Sequence, residues 1–243
     1  MNLQDILFSQ GFGTRRVCAG LVQQGWVSVE GVVVTDTLAE FDTANLTFTV
    51  QGVQWPFRER AYLMLHKPAG YECSQKPGMY PSIYTLLPSP LRMRGGGAAA
   101  GVQAVGRLDQ DTTGLLLLSD DGKFIHRMSS PRHHVPKLYE VTTKHPLDGA
   151  QVARLLAGVV LDDSPVPVKA AAASVLSSHV LHLTLTEGKY HQVKRMLAAV
   201  GNRVEALHRA SVGGLRLGPD LPSGQWRWLS ADETAALYAG SAT

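Results

Sequence analysis

Four consecutive leucines, Leu115 to Leu118, follow the polar stretch Asp109-Gln110-Asp111-Thr112-Thr113-Gly114 and precede Ser119-Asp120-Asp121-Gly122. A short apolar run closed at both ends by turn formers reads as a buried strand and a turn. It falls far short of the roughly 18–20 apolar residues of a membrane span, as does every other run in the chain. It also holds a group of polar side chains, beginning with Asp109, on a loop anchored by a buried element. Binding and catalytic residues concentrate at such places.

The 243 residues, 44% hydrophobic and 18% charged, are those of a soluble globular protein with room for a large domain and a small one. Residues 1–50 read as a small unit. Residues 3–10 look like an amphipathic helix, Thr14 can cap a second helix that stops at Gly25, and 26–34 reads as a hairpin turning at Glu30-Gly31. Residues 51–60 have the mixed polar character of a linker, and the larger domain takes 61–243. Within it 62–68, 114–122, 137–144, 174–186 and 226–229 read as strands. Helices are expected up to Met128, over 148–157, between 187 and Gly201, and over 230–239 with Ser230 as cap. The Gly/Ala-rich segment 88–101 reads as a mobile surface loop. Many strands with interspersed helices make the fold class α+β.

Charge is unevenly spread. Residues 1–59 hold three arginines against six acids, net −3. Residues 61–146 hold ten Lys and Arg against six acids, and 186–218 hold six against two, each net +4. The two basic stretches favour a polyanionic partner, although a solvated face can share that pattern. Cys18 and Cys73 lack metal-ligand spacing and read as reduced thiols. There is no GxGxxG and no P-loop, so no nucleotide cofactor is expected. The N-terminus has acids and amides where a signal peptide needs a basic start and an apolar core, so a cytoplasmic location is expected.

Alternation along a strand would point Arg107 and Asp109 the same way, making Asp109 a candidate nucleophile or base. On these residues alone, a surface Arg–Asp pair or an Asx turn is the commoner explanation. His133, His134 and His191 fit no standard zinc spacing and lack carboxylate partners, so no metal is expected.

A family resemblance shifts that balance. GRLDQDTTGLLLLSDDG (106–122) closely resembles the catalytic signature of pseudouridine synthases of the RsuA type, which act on ribosomal RNA. YLMLHKPAGYECS (62–74) resembles their opening strand and Lys-Pro-x-Gly turn, SPRHHVPKLYEV (130–141) their tyrosine motif, and 187–218 their third motif and following strand. The resemblance implies a catalytic domain with a mixed, mainly antiparallel sheet. It makes Asp109 the catalytic aspartate, Tyr139 the residue that stacks under the target base and can serve as a base late in the reaction, and Lys194 the cation paired with Asp109, with Arg195 as the alternative for that place. Arg107 would fill the gap left by a flipped nucleotide. Arg132, His133, His134 and Lys137 are expected at phosphates, Lys189 where the backbone approaches substrate, and His191, Arg195 and Arg209 on the same RNA-binding surface.

Residues 11–34 resemble an S4-like RNA-binding domain with Arg15 and Arg16 as phosphate contacts, although the basic residue usual at its start is replaced by Asn2-Leu3-Gln4-Asp5. The implied partner is ribosomal RNA, free or in a small-subunit assembly intermediate, with no membrane, no cofactor and a monomeric chain. SPRHH and the run that includes Lys194 look most like the enzyme of small-subunit 16S rRNA. The same reaction on 23S rRNA and a non-catalytic assembly factor remain as alternatives. A degenerate relative would be expected to have lost Asp109, Tyr139 or Lys194.

Overall fold

The structure, a computed structural model, describes residues 1–95 and 101–238. It divides into two compact units: residues 1–61 with 87–103 and 119–121, and the remainder.

The first unit is built from helices α1 (Leu3–Gln10) and α2 (Arg15–Gln23), strands β1 (Val27–Val29), β2 (Val32–Val33), β3 (Thr47–Val50) and β4 (Val53–Pro56), and the short helix α3 (Ser89–Met93). Asn2 and Thr14 cap the first two helices through their side chains, accepting from Asp5 N and Val17 N. Glu30 and Gly31 both take positive φ (50° and 79°), the geometry of a tight hairpin turn, as their sequence suggests. The four strands form an antiparallel sheet in the order β2-β1-β3-β4. The stretch read as a linker therefore carries a paired strand. Gln51-Gly52 makes a second positive-φ turn, and Trp55 is buried. Nor is the Gly/Ala-rich stretch a surface loop throughout. Leu91 is fully buried, and the Arg94 guanidinium meets Asp120, Gln10 and the carbonyls of Arg58 and Glu59. Residues 96–100 of that stretch lie outside the described residues.

The second unit is organised by a sheet in the order β11-β12-β8-β13-β7-β5-β15. Its strands are β5 (Tyr62–Lys67), β7 (Thr113–Ser119), β8 (Lys137–Thr143), β11 (Ala172–Ser177), β12 (Val180–Leu185), β13 (Val204–Val212) and β15 (Trp226–Trp228). Two short strands flank it: β6 (Gln103–Val105) pairs with β7, and β14 (Leu215–Arg216) with β13. β13 runs parallel to β7, with His208 opposite Thr113 and Arg209 opposite Gly114. Antiparallel pairing joins β13 to β8, β8 to β12, β12 to β11 and β5 to β15. The sheet is mixed, as the family resemblance implies. The four leucines are 0–1% exposed within β7. Leu115 and Leu117 pack with Met64, Phe124, Met128, Val212 and Leu229 in one core.

Helices α4 (Gly122–Ser129), α5 (Gly149–Ala157), α6 (Gln192–Ala199) and α7 (Ala231–Ala236) complete the unit. Reciprocal capping boxes at Asp148 and Ser230 start α5 and α7. The stretch 174–186, read as one strand, is two antiparallel strands. A further hairpin, β9 (Val159–Leu161) with β10 (Ser164–Val168), has no counterpart in the sequence reading. No helix among the described residues is long and apolar enough to cross a membrane.

Candidate active site

Asp109 lies on the loop between β6 and β7, not on a strand. The expected alternation nevertheless survives in another form: Leu108 is buried, Arg107 is exposed and Asp109 is half-buried. Gly106 enters the loop at φ +71°, and the Thr112 amide donates to the Asp109 carbonyl at 3.1 Å. Gly114 then admits the loop to the sheet. It has φ +110°, and a Cβ there would collide with the Arg209 backbone, so no other residue lets β7 approach β13 at that register.

Lys67 fastens the loop from below. The side chain is fully buried, and Nζ donates to the carbonyls of Pro68 (3.0 Å), Gln110 (3.2 Å) and Thr112 (2.8 Å). Burial pushes its pKa down, partly countered by Cys73, Asp111 and Asp109. The sequence reading placed Lys67 in a motif but gave it no task. A lysine ending an otherwise apolar strand was the available signal. Cys73 and Cys18 are free, buried thiols, each with its pKa raised chiefly by burial.

The carboxylate of Asp109 faces Lys194 Nζ at 3.1 Å and His191 Nε2 at 3.4 Å. Lys194 also bonds both oxygens of Asp111, at 2.7 and 2.9 Å. Burial alone would lower the Lys194 pKa, but the hydrogen bonds to Asp111 and Asp109 outweigh it and the pKa rises. Burial likewise opposes ionisation of Asp111, and the Lys194 bond overrides it and holds that carboxyl low. Arg195, the alternative partner, turns instead to Asp163, bonding both its oxygens. That bond is the main reason the Asp163 pKa is depressed and the Arg195 pKa raised.

These groups border a cavity of about 80 Å³ lined by Arg107, Asp109, Thr112, Tyr139, Lys189 and His191, among others. Tyr139 is 8% exposed and lies on β8 opposite Arg209. One buried side chain shapes the opposite wall. Gln192 donates to Glu187 at 3.0 Å and accepts from the Lys189 amide at 2.7 Å. His191 precedes α6 at φ +48°, its ring stacked on Tyr190 at 3.8 Å. Sequence reasoning did not single out Gln192, Tyr190 or Thr112.

Other expected residues fall elsewhere. Arg132 and His134 are exposed and His133 is half-buried, all beside the turn before β8. Arg209 is not on the surface: it is 3% exposed, with Nε donating to the Leu115 carbonyl. The parallel contact with β7 puts its side chain inside. Lys137 donates to the Val135 carbonyl, and burial, with the Arg209 charge, brings its pKa down to about 8. Arg15 and Arg16 belong to the first unit, and Arg15 is engaged by Asp5 and the Phe8 ring. Among the described residues no group of three or more His, Cys, Asp or Glu could hold a metal.

The model of the RNA pseudouridylate synthase family matches residues 61–199, a span that holds Asp109, Tyr139 and Lys194. The chain belongs to that family. It is an isomerase of the pseudouridine synthase type. Among its relatives is the ribosomal small subunit pseudouridine synthase A of Pasteurella multocida, 39% identical over 98% of this chain and 99% of that protein. The protein of the same description from Yersinia pestis is 43% identical, with 98% and 99% covered. A crystal structure of a pseudouridylate synthase aligns at 34% identity with a TM-score of 0.67, covering 98% of this chain and 99% of that one.

Proposed function

We propose that the chain converts one uridine of small-subunit ribosomal RNA to pseudouridine, with Asp109 as the essential carboxylate. The observation that carries this reading is the placement of Asp109, half-buried between Lys194 and His191 at a cavity bordered by Tyr139. The relatives described as small-subunit enzymes align over nearly their whole length, which favours 16S over 23S rRNA.

The chemistry follows from these side chains. C1′ and C5 of a uridine are hidden in structured RNA, so the nucleotide flips out at a cost of a few kcal/mol. Stacking on an aromatic ring offsets about 1–3 kcal/mol of that, the task we assign to Tyr139. Exposed Arg107, at the rim of the cavity, fills the vacated stack. Lys194, 3.1 Å away, orients the Asp109 carboxylate, so that it can attack C1′ or stabilise positive charge there while the glycosidic bond breaks. Arg132, His133, His134, Lys137, Lys189 and Arg195 serve phosphate or sugar contacts.

The first unit serves as an S4-like RNA-binding domain. Its paired helices, hairpin and exposed Arg16 suit that reading, and the net −3 of residues 1–59 makes it a guide to orientation more than a source of affinity.

Two measurements test the proposal. Pseudouridine mapping in rRNA from cells with and without the gene should show one missing site in 16S rRNA. A lost site in 23S rRNA would transfer the reading to the large subunit, and an unchanged map would refute it. Asp109→Asn, nearly isosteric but uncharged, should abolish tritium release from 5-tritiated uridine while RNA binding persists. Release that survives this change refutes the Asp109 assignment.

A further inference from the structure

We infer that Tyr190, stacked on His191, is the platform for a second nucleobase: the base of a nucleotide next to the flipped uridine lies on its outer face. The inference rests on the proposed RNA modification at Asp109 and names a further contact of that same substrate.

A nucleotide that flips out leaves its neighbours in the strand partly unstacked. Unpaired RNA bases recover that loss on aromatic side chains, which serve any base because every base has a π-face. A residue suited to this task needs an open ring face, a fixed ring plane and a place beside the reacting centre.

Tyr190 has the open face. It is 75% exposed, and the His191 ring covers one side of it at 3.8 Å with an 18° interplanar angle. The opposite side is left to solvent. Packing gives no reason for the ring to stand there, since so little of it leaves water on folding.

The ring plane is fixed from both directions along the chain. Consecutive side chains of an extended backbone point to opposite faces. His191 instead takes φ +48° and ψ +32° at the start of α6, and its ring lies flat on that of Tyr190. Left-handed backbone is sparsely populated by residues other than glycine, and such strain clusters at functional sites. Arg195 ties down the Tyr190 backbone. Its Nη1 donates to the Tyr190 carbonyl at 3.2 Å, while the guanidinium bonds both oxygens of Asp163 in the turn between β9 and β10. On the other side, the Lys189 amide donates to buried Gln192 at 2.7 Å.

The platform stands beside the reacting centre. His191 Nε2 lies 3.4 Å from Asp109 Oδ1, and His191 lines the cavity together with Tyr139. A base in van der Waals contact with the outer face of Tyr190 sits about 7–8 Å from the His191 ring, a step that one splayed nucleotide spans. Lys189, also at the cavity, offers a cation to the phosphate between the two nucleotides. Tyr139 then takes the flipped uracil inside the cavity and Tyr190 takes its neighbour outside. Stacking reads a ring and not a hydrogen-bond pattern, so the platform selects uridines whose neighbour is free to leave its own stack.

The test is a cycle between protein and RNA. Tyr190→Ala and Tyr190→Phe are compared with wild type on 16S rRNA transcripts, intact or with an abasic nucleotide on the 5′ or the 3′ side of the converted uridine. Tyr190→Ala should weaken binding of the intact transcript by about ten-fold, within the roughly 5- to 150-fold that one stacked base represents, and Tyr190→Phe by less than about two-fold. Removing the base on one of the two sides should cost wild type a similar factor but Tyr190→Ala less than about two-fold, because both changes delete the same contact. Equal effects of the Ala and Phe changes overturn the inference, as do losses that add at both abasic positions. So does a loss confined to the single-turnover rate at saturating enzyme, since Tyr190 would then act only by holding His191. Should Tyr190→Ala not fold, Tyr190→Leu takes its place, and a wild type indifferent to both abasic positions overturns the inference without any variant. Wild type that binds the transcript but converts no uridine refutes the proposed function instead, and the Ala-against-Phe difference in binding still decides the platform.

Discussion

Replacing Lys67 by Met removes one ammonium and keeps an unbranched side chain of similar length. Nζ serves three carbonyls, those of Pro68, Gln110 and Thr112, from a fully buried position. The Gln110 carbonyl also receives the Gly70 amide at 2.8 Å, so it keeps a partner. Pro68 and Thr112 lose theirs. Leaving the carbonyls of buried Thr112 and half-buried Pro68 without a partner costs about 1–3 kcal/mol each. Met avoids the desolvation of the ammonium, the same burial that lowers the Lys67 pKa, and this recovers part of the loss. The net expectation is a destabilisation of about 3 kcal/mol. At about 2–4 °C per kcal/mol for a chain of this size, Tm should fall by roughly 10 °C. The loop of residues 109–112 hangs on these carbonyls, so kcat for tritium release should drop by at least about ten-fold, with RNA affinity unchanged. Thermal denaturation and single-turnover assays read the two effects. A Tm within about 2 °C of wild type together with unchanged turnover would refute the view that Lys67 holds the catalytic loop.

Lys194→Met should cost about 100-fold or more in turnover, because it leaves Asp109 and Asp111 without their shared cation. Arg195→Ala breaks the Asp163 pair and the hydrogen bond to the Tyr190 carbonyl, leaves the Asp109 cation in place, and should change stability by less than about 1 kcal/mol and turnover by a few-fold. Equal losses in the two variants would contradict the pairing seen here. Lys137 has a folded-state pKa of about 8 against an ordinary 10.5. The unfolded chain therefore binds the proton more tightly, and the Lys137 term should make stability rise between pH 8 and 10.5, visible as a difference from Lys137→Met in urea titrations. If Lys137 meets a phosphate, the salt slope of RNA binding should shrink by about one between pH 7 and 9 in wild type but not in that variant. Glu233 has its pKa lowered from 4.5 to about 2, chiefly by the hydrogen bond from Arg227. Its contribution is complete above pH 4.5 and is lost as pH falls toward 2. Glu233→Gln should thus destabilise by about 1–3 kcal/mol at pH 7, and the difference should vanish near pH 2 in chemical denaturation.

Local signals account for most of the elements that the sequence made legible. Thr14, Asp148 and Ser230 stand before helices and cap them. Glu30-Gly31 turns a hairpin. The leucine run is a buried strand because nothing in it can face water. The misread stretches fail for equally local reasons. Residues 51–60 look like a linker because a four-residue edge strand carries only Val53 and Trp55 as apolar signal. Residues 88–95 look like a loop because their burial depends on Leu91 and on Arg94, a residue type normally exposed.

Sequence by itself determined the family and the order of its four motifs, and it offered Asp109, Tyr139 and Lys194 as the candidate set, because residue type and spacing carry that information. Only the tertiary structure decided which cation meets Asp109. Lys194 and Arg195 are adjacent on one helix, and about 100° of rotation separates their directions, sending one to Asp109 and the other to Asp163. The same holds for Arg209, which a basic stretch presents as a surface contact and a parallel strand pairing places inside. It holds as well for Lys67 and His191. Their contacts are with carbonyls and a carboxylate contributed by distant parts of the chain, and no local pattern records such meetings.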